Sequence, residues 1–172
     1  NLVSSGALGD VTVISLWDNQ EELDRHYRNI YLRGLNGNKL KTLWVFIQQI
    51  LSHKYNEILF GHVLFYPLFV ISYLFSRKSK RVLFVHGTDV WDKPPKIKGL
   101  IISDLINEII SVSKFTTKKM ASAYGIDQRK FNLLYSAIDF EESDENLHKD
   151  HEPSLFQLLS VSRLSNSSRH KN

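Results

Sequence analysis

A chain of 172 residues, 42% hydrophobic and 12% aromatic, can bury one sizeable core and does not have the composition of a disordered polypeptide. Its 22 Lys and Arg against 18 Asp and Glu leave a formal charge of +4, held in short clusters such as Arg77-Lys78-Ser79-Lys80-Arg81; this suits anionic phosphates or an acidic membrane surface and falls short of a dedicated nucleic-acid binder. The lack of cysteine excludes a disulfide scaffold, a thiolate metal site and a cysteine nucleophile, and it fits a reducing compartment, so a cytoplasmic location is expected.

Val11 to Leu16, entered through Gly6 to Asp10, is a short β-rich run and reads as a strand. Trp17 to Asn36 is polar with scattered aromatics and reads as a surface connection holding one helical turn. Asn38 can cap the next segment, where Leu40, Leu43, Trp44, Ile47, Ile50 and Leu51 recur at the three-and-four spacing of a helix with one buried face. Glu57 to Phe60 reads as a second strand ending in Gly61-His62, and Phe65 to Phe75 as an apolar helix with Pro67 in its first turns. A rival covers the same stretch: Ile58 to Phe75 is 18 residues without a charge, followed by the basic cluster, as in a membrane span with a cytoplasmic flank. Gly61-His62 and Pro67 fit the strand, turn and helix better.

Val82 to Val85 is an apolar run expected to form a strand buried on both faces, and it ends in His86-Gly87-Thr88-Asp89. Open α/β sheets bind ligands outside the carboxyl ends of their strands, so a titratable histidine and a flexible glycine at that edge are the first candidates for chemistry. Asp89 stands open between orienting His86 and capping the following turn, and His62, ending the adjacent predicted strand, is a candidate for the same crevice. Pro94-Pro95 break the chain, and Ile97, Leu100, Ile101 and Leu105 mark a helix. Glu108 to Ser113 is the next strand. Ser113 is equally a helix cap and an acceptor contact, with a helix expected from Lys114 to Ala123, Phe115 and Met120 inward, and Gly125 as its left-handed terminator. Phe131 to Tyr135 is one more strand.

Strand and helix in alternation predict an α/β, Rossmann-like parallel sheet with flanking helices and right-handed crossovers. Residues 1–140 read as one domain. The acidic run 141–153 reads as a solvated linker, and residues 154–172, opening with the strand Leu155 to Val161, as the start of a second domain. Ending on His170-Lys171-Asn172 soon after a strand-like run is expected of a fragment. No Ser-His-Asp motif, phosphate-cradling glycine loop or carboxylate pair at metal-ligand spacing is present, so hydrolase and kinase readings lack a foothold and no metal is expected.

Three stretches in this order resemble glycosyltransferase family 4, retaining enzymes of the GT-B fold. Val82 to Trp91 is similar to the family's strand ending in His-Gly-x-Asp-x-Trp. Ile109 to Gly125 is similar to its strand ending in Val-Ser, with the helix and Tyr-Gly-Ile after it. Phe131 to Asp139, continued beyond the linker by Ser162-Arg163-Leu164 and Lys171, is similar to the passage into the donor domain. This chain has Ser136-Ala137 where the family usually has Asn-Gly, Ser162 where it has Gly before Arg, and Asn172 where it has Gly.

The resemblance implies two Rossmann-like domains, of which residues 1–140 are the acceptor side. This half is missing its first strand, since the family's amino-terminal glycine-rich loop has no counterpart here. The implied activity is transfer of a sugar, with retained configuration, from a nucleotide-diphosphate sugar to a glycan or lipid-linked acceptor, as in polysaccharide biosynthesis. His86 would be catalytic, beside the transferring sugar. Gly87, Asp89, Ser113 and His62 would line the cleft, and Arg163 and Lys171 would bind the donor diphosphate, with no cofactor beyond the nucleotide sugar itself. This fragment alone is expected to be inactive. The helix Phe65 to Phe75 with Arg77, Lys78, Lys80 and Arg81 is expected to dock peripherally on the inner face of a membrane. Two readings from other classes are a non-catalytic Rossmann-like binding or scaffold module and a membrane-anchored protein spanning at 58–75.

Overall fold

In the computed structural model, which describes residues 11–21, 23 and 31–135, β1 (Thr12–Ser15) pairs in parallel with β2 (Tyr31–Gly34). The chain continues through α1 (Lys39–Ser52), β3 (Glu57–Phe60), α2 (Tyr66–Phe75), β4 (Lys80–Val85), α3 (Lys96–Leu105), β5 (Glu108–Ser111), α4 (Lys114–Tyr124) and β6 (Phe131–Leu133). Strands β3 to β6 form a second sheet, parallel throughout, in the order β3-β4-β5-β6. The protein is therefore α/β, with parallel sheets flanked by helices in Rossmann-like fashion. The acidic linker, the expected strand after it, Arg163 and Lys171 lie outside the described residues.

Register explains the core. Phe60, Leu83 and Ile109 sit in one row across β3, β4 and β5, and all three are buried. A sheet that grows in one direction through right-handed crossovers carries its connecting helices on one face. Accordingly α2 packs on α3 and α3 on α4, each giving a fully buried residue, Phe69, Ile102 and Met120, to the same cluster.

Several helices differ from expectation in which face they bury. In α1 the inward residues are Thr42, Val45, Phe46 and Ile50, while Leu40, Trp44 and Leu51 are 82%, 57% and 63% exposed. Its apolar residues fill more than one stripe of the helix, and contact with β1, α2 and Phe60 selects the stripe carrying Phe46. In α3 the buried residues are Gly99 and Ile102, leaving Ile97 and Leu100 exposed. In α4 Met120 is inward as expected, but Thr116 holds the inward position one turn earlier and turns Phe115 out to solvent.

The connection expected over Trp17 to Asn36 holds the strand β2. Its Gly34 lies under the turn that follows β1: a Cβ there would stand 2.6 Å from the Asp18 carbonyl oxygen. The Gln20 side chain fixes this strand from the same turn, donating to the Leu32 carbonyl and accepting from the Gly34 N–H.

The span considered at 58–75 is β3, a turn, a short 3-10 helix (Val63–Phe65) and α2, which has only ten residues. No helix among the described residues is long and apolar enough to cross a membrane. The basic cluster is also not one exposed surface. Arg81 is buried, its Nε donating to the Leu105 carbonyl and its Nη1 to that of Ser79, and Lys80 is paired with Glu57 and Glu108. Arg77 and Lys78 alone of the four stay exposed without a carboxylate partner.

Candidate functional site

β4 delivers His86 to the carboxyl edge of the sheet, where it is exposed, its ring edge-on to Phe84 at 4.6 Å. Neighbouring strands deliver their own exits to the same edge: β3 ends before Gly61-His62, and Ser111 of β5 lies beside Val85 of β4.

The turn after His86 is built around Gly87, whose φ of +145° and ψ of −106° suit a residue without a Cβ. Asp89 folds back so that its Oδ1 accepts the Gly87 N–H at 2.8 Å, and the Val90 N–H closes on the Gly87 carbonyl at 3.0 Å. This decides the alternatives for Asp89: it braces the turn, and the backbone it holds fixes where His86 emerges. Its Oδ2 is buried and has no hydrogen-bond partner among the described residues. Burial pushes the Tyr124 phenol above its ordinary pKa, and the Asp89 and Asp92 carboxylates add to the shift.

Ser113 caps α4. Its hydroxyl accepts the Thr116 N–H at 3.1 Å and donates to Thr116 Oγ1 at 3.0 Å. Gly125, at φ 66°, ψ 34°, ends the helix in the left-handed conformation expected of it. His62 is a cap as well: its Nδ1 accepts the Leu64 N–H at 3.1 Å at the start of the 3-10 helix, which leaves Nε2 for any ligand. The carboxyl edge thus gathers His62, His86, Gly87, Asp89 and Ser113. His86 is exposed and its ring makes no hydrogen bond among the described residues, while Asp89, Ser113 and His62 each hold backbone.

Thr116, which sequence reasoning passed over, and Trp91, noted only as the end of a motif, complete the arrangement. Thr116, 1% exposed, ties the Ser113 cap to the Trp91 indole, whose Nε1–H points at Thr116 Oγ1 at 3.4 Å. Trp91 in turn stands behind the turn: a Cβ on Gly87 would lie 3.7 Å from its Cζ2. The signal for Thr116 was its spacing, one helical turn before Met120 and two before Tyr124. No group of three or more His, Asp or Glu able to hold a metal ion occurs among the described residues. Chemically, the site offers an accessible imidazole that can donate or accept one hydrogen bond to a ligand, on a backbone clamped by a carboxylate and an indole. Neither a protein-family model nor a curated protein matches this chain.

Proposed function

We propose that these residues are the acceptor-side half of a retaining glycosyltransferase, moving a sugar from a nucleotide-diphosphate donor to a glycan or lipid-linked acceptor. The observation that carries this reading is an exposed His86 at the carboxyl edge of a parallel sheet, on a turn fixed by Gly87 and Asp89, where α/β sheets take their ligands. In this reading His86 hydrogen-bonds the transferring sugar and holds it for reaction. The acceptor hydroxyl oxygen bonds to the anomeric carbon as that carbon's bond to the diphosphate oxygen breaks; the diphosphate leaves with that electron pair and takes up the hydroxyl proton. Arg163 and Lys171, from the donor half, stabilise the charge that develops on it. Peripheral membrane contact, where a lipid-linked acceptor would be met, falls to Arg77 and Lys78 beside the exposed Tyr73, Leu74 and Phe75.

The test is transfer of labelled sugar from a panel of nucleotide sugars by the gene product that carries this chain, with His86 intact and as His86→Ala. A loss of about a hundredfold or more is expected, with the urea midpoint unmoved because the imidazole is exposed. Transfer indifferent to His86 would overturn the assignment. The commitment of His62, Ser113 and Asp89 to backbone favours a second reading, a non-catalytic binding module, and transfer absent from every donor would leave that reading standing.

A further inference from the structure

Beside the His86 turn, an open depression of about 480 Å³ is lined by Trp91, Phe115, Lys93, Lys118, Lys119 and Ser122. Its aromatic wall is built and rigid. The Trp91 and Phe115 rings meet edge to face at 5.1 Å and 86°, and Trp91 is held by the buried Thr116, itself fixed by the Ser113 cap. Both rings nevertheless keep much of their surface in water, 37% for Trp91 and 54% for Phe115. An exposed aromatic pair locked in one geometry is preorganised to receive a ring-shaped ligand at small entropic cost.

The rim is cationic. Among the described residues Lys93, Lys118 and Lys119 form no salt bridge, α4 contains no acidic residue, and Lys119 Nζ lies 5.6 Å from the centre of the Phe115 ring. The polar lining consists of amines and one hydroxyl, with no carboxylate or amide to read the edge of a nucleobase.

We propose that this depression binds an anionic saccharide, one sugar ring against Trp91 and a carboxylate or phosphate substituent against Lys93, Lys118 and Lys119. One wall of the hollow, Trp91, backs the Gly87 turn that follows His86. This deepens the transferase reading by naming the acceptor as an acidic glycan, and it rests on that reading for the word acceptor. Binding itself is measured without transfer.

The test uses the whole chain with Trp17→Phe and Trp44→Phe, both exposed positions, so that Trp91 is the one fluorophore of its kind. Titration with a hyaluronan tetrasaccharide, which carries glucuronate, is expected to shift Trp91 emission saturably. Chitotetraose, neutral and of equal length, is expected to bind at least about tenfold more weakly, and Lys118→Glu with Lys119→Glu to cost the acidic ligand a similar factor. Lys93→Glu is a second charge variant should the pair disturb α4. Equal affinity for the two tetrasaccharides, no saturable response to either, or insensitivity to the lysine variants would overturn the proposal. So would stronger binding to phosphatidylglycerol vesicles or to a uridine nucleotide than to the acidic sugar, with inorganic phosphate as the control for an isolated anion. Acidic-sugar binding by this chain, with no transfer from any donor by the gene product that carries it, supports this site and removes the transferase reading. His86-dependent transfer to neutral acceptors alone removes this site and spares that reading.

Discussion

The two edges of the four-stranded sheet carry similar polar side chains and use them in opposite ways. At the amino edge Arg81, Ser79, Lys80 and Glu108 all close on partners. Arg81 binds the carbonyls of Leu105 and Ser79, its own N–H is received by Asn107 Oδ1 at 2.8 Å, and the Ser79 hydroxyl is donated to the Tyr55 carbonyl. Lys80 bridges Glu57 and Glu108, and Asn132 completes Glu108 at 2.6 Å. At the carboxyl edge His86 is exposed, and among the described residues one buried oxygen of Asp89 has no hydrogen-bond partner and the three lysines lining the hollow form no salt bridge. A satisfied network rigidifies a fold, whereas groups with open bonding capacity are where a ligand gains affinity. The contrast predicts that substitutions at the amino edge act on stability and those at the carboxyl edge on binding.

Arg81→Ala is the largest expected effect. The guanidinium is 5% exposed, and its removal strands the carbonyls of Leu105 and Ser79 while leaving a void. A loss of about 3 kcal/mol is expected, read as a fall in the urea midpoint. Burial lowers the pKa of this guanidinium from its ordinary value and the Tyr73 phenol opposes the shift, so the side chain is held by carbonyl dipoles and a ring face in place of a carboxylate. A midpoint unchanged in Arg81→Ala would break the comparison at its strongest point.

Gly87→Ala comes next and tests the exception, a carboxyl-edge residue with a structural duty. There is room for a methyl group, since its nearest neighbours would be Trp91 Cζ2 at 3.7 Å and Thr116 Oγ1 at 3.9 Å, but the φ of +145° is one that alanine adopts only under strain. A cost of about 2 kcal/mol is expected, accompanied by a change in Trp91 emission as the turn shifts against the indole. Stability lost without that spectral change would mean the strain is relieved elsewhere and the turn is not clamped as described.

Much of this was legible before any coordinates. Parallel strands β3 to β6, the caps at Asn38 and Ser113, the left-handed stop at Gly125 and the exposure of His86 follow from local pattern, because capping geometry and strand hydrophobicity are set within a few residues. Helix phase was not legible. Leu40, Trp44 and Leu51 fit a stripe as well as Thr42, Val45, Phe46 and Ile50 do, and only packing against β1 and Phe60 chooses between them. β2 was missed because Tyr31–Gly34 has neither alternation nor an apolar run, and it is a strand by virtue of its partner and the turn resting on Gly34. Arg81 looked like surface charge because its neighbours are charged; what buries it is the loop from Ser76 to Ser79, read as part of the basic cluster, and the end of α3, read as a separate helix. The aromatic hollow escaped for the same reason: Trp91 and Phe115 belong to different elements, and Phe115 was assigned inward.

The smallest effect expected concerns Glu108, and its sign sharpens the comparison. The hydrogen bond from Lys80, and after it the one from Asn132, holds the Glu108 carboxyl below its ordinary 4.5. The folded state therefore releases this proton more readily than the unfolded chain does. The stability so gained is fully present above the ordinary carboxylate value and is lost as pH falls through the depressed one. Glu108→Gln should lower the neutral plateau of a stability profile measured by urea midpoint by a small amount, because solvent at Lys80, 44% exposed, screens the pair, and should flatten the acid limb below about pH 4.5 by the same amount, so that variant and parent converge in acid. An acid limb as steep in Glu108→Gln as in the parent would place the acid-sensitive carboxylate elsewhere, with Asp127 first in line: the Arg129 side chain depresses its pKa most, but that pair is more exposed still, at 91% and 46%. Asp127→Asn beside Glu108→Gln then separates an amino-edge network that stabilises the sheet from a loop pair that decorates it.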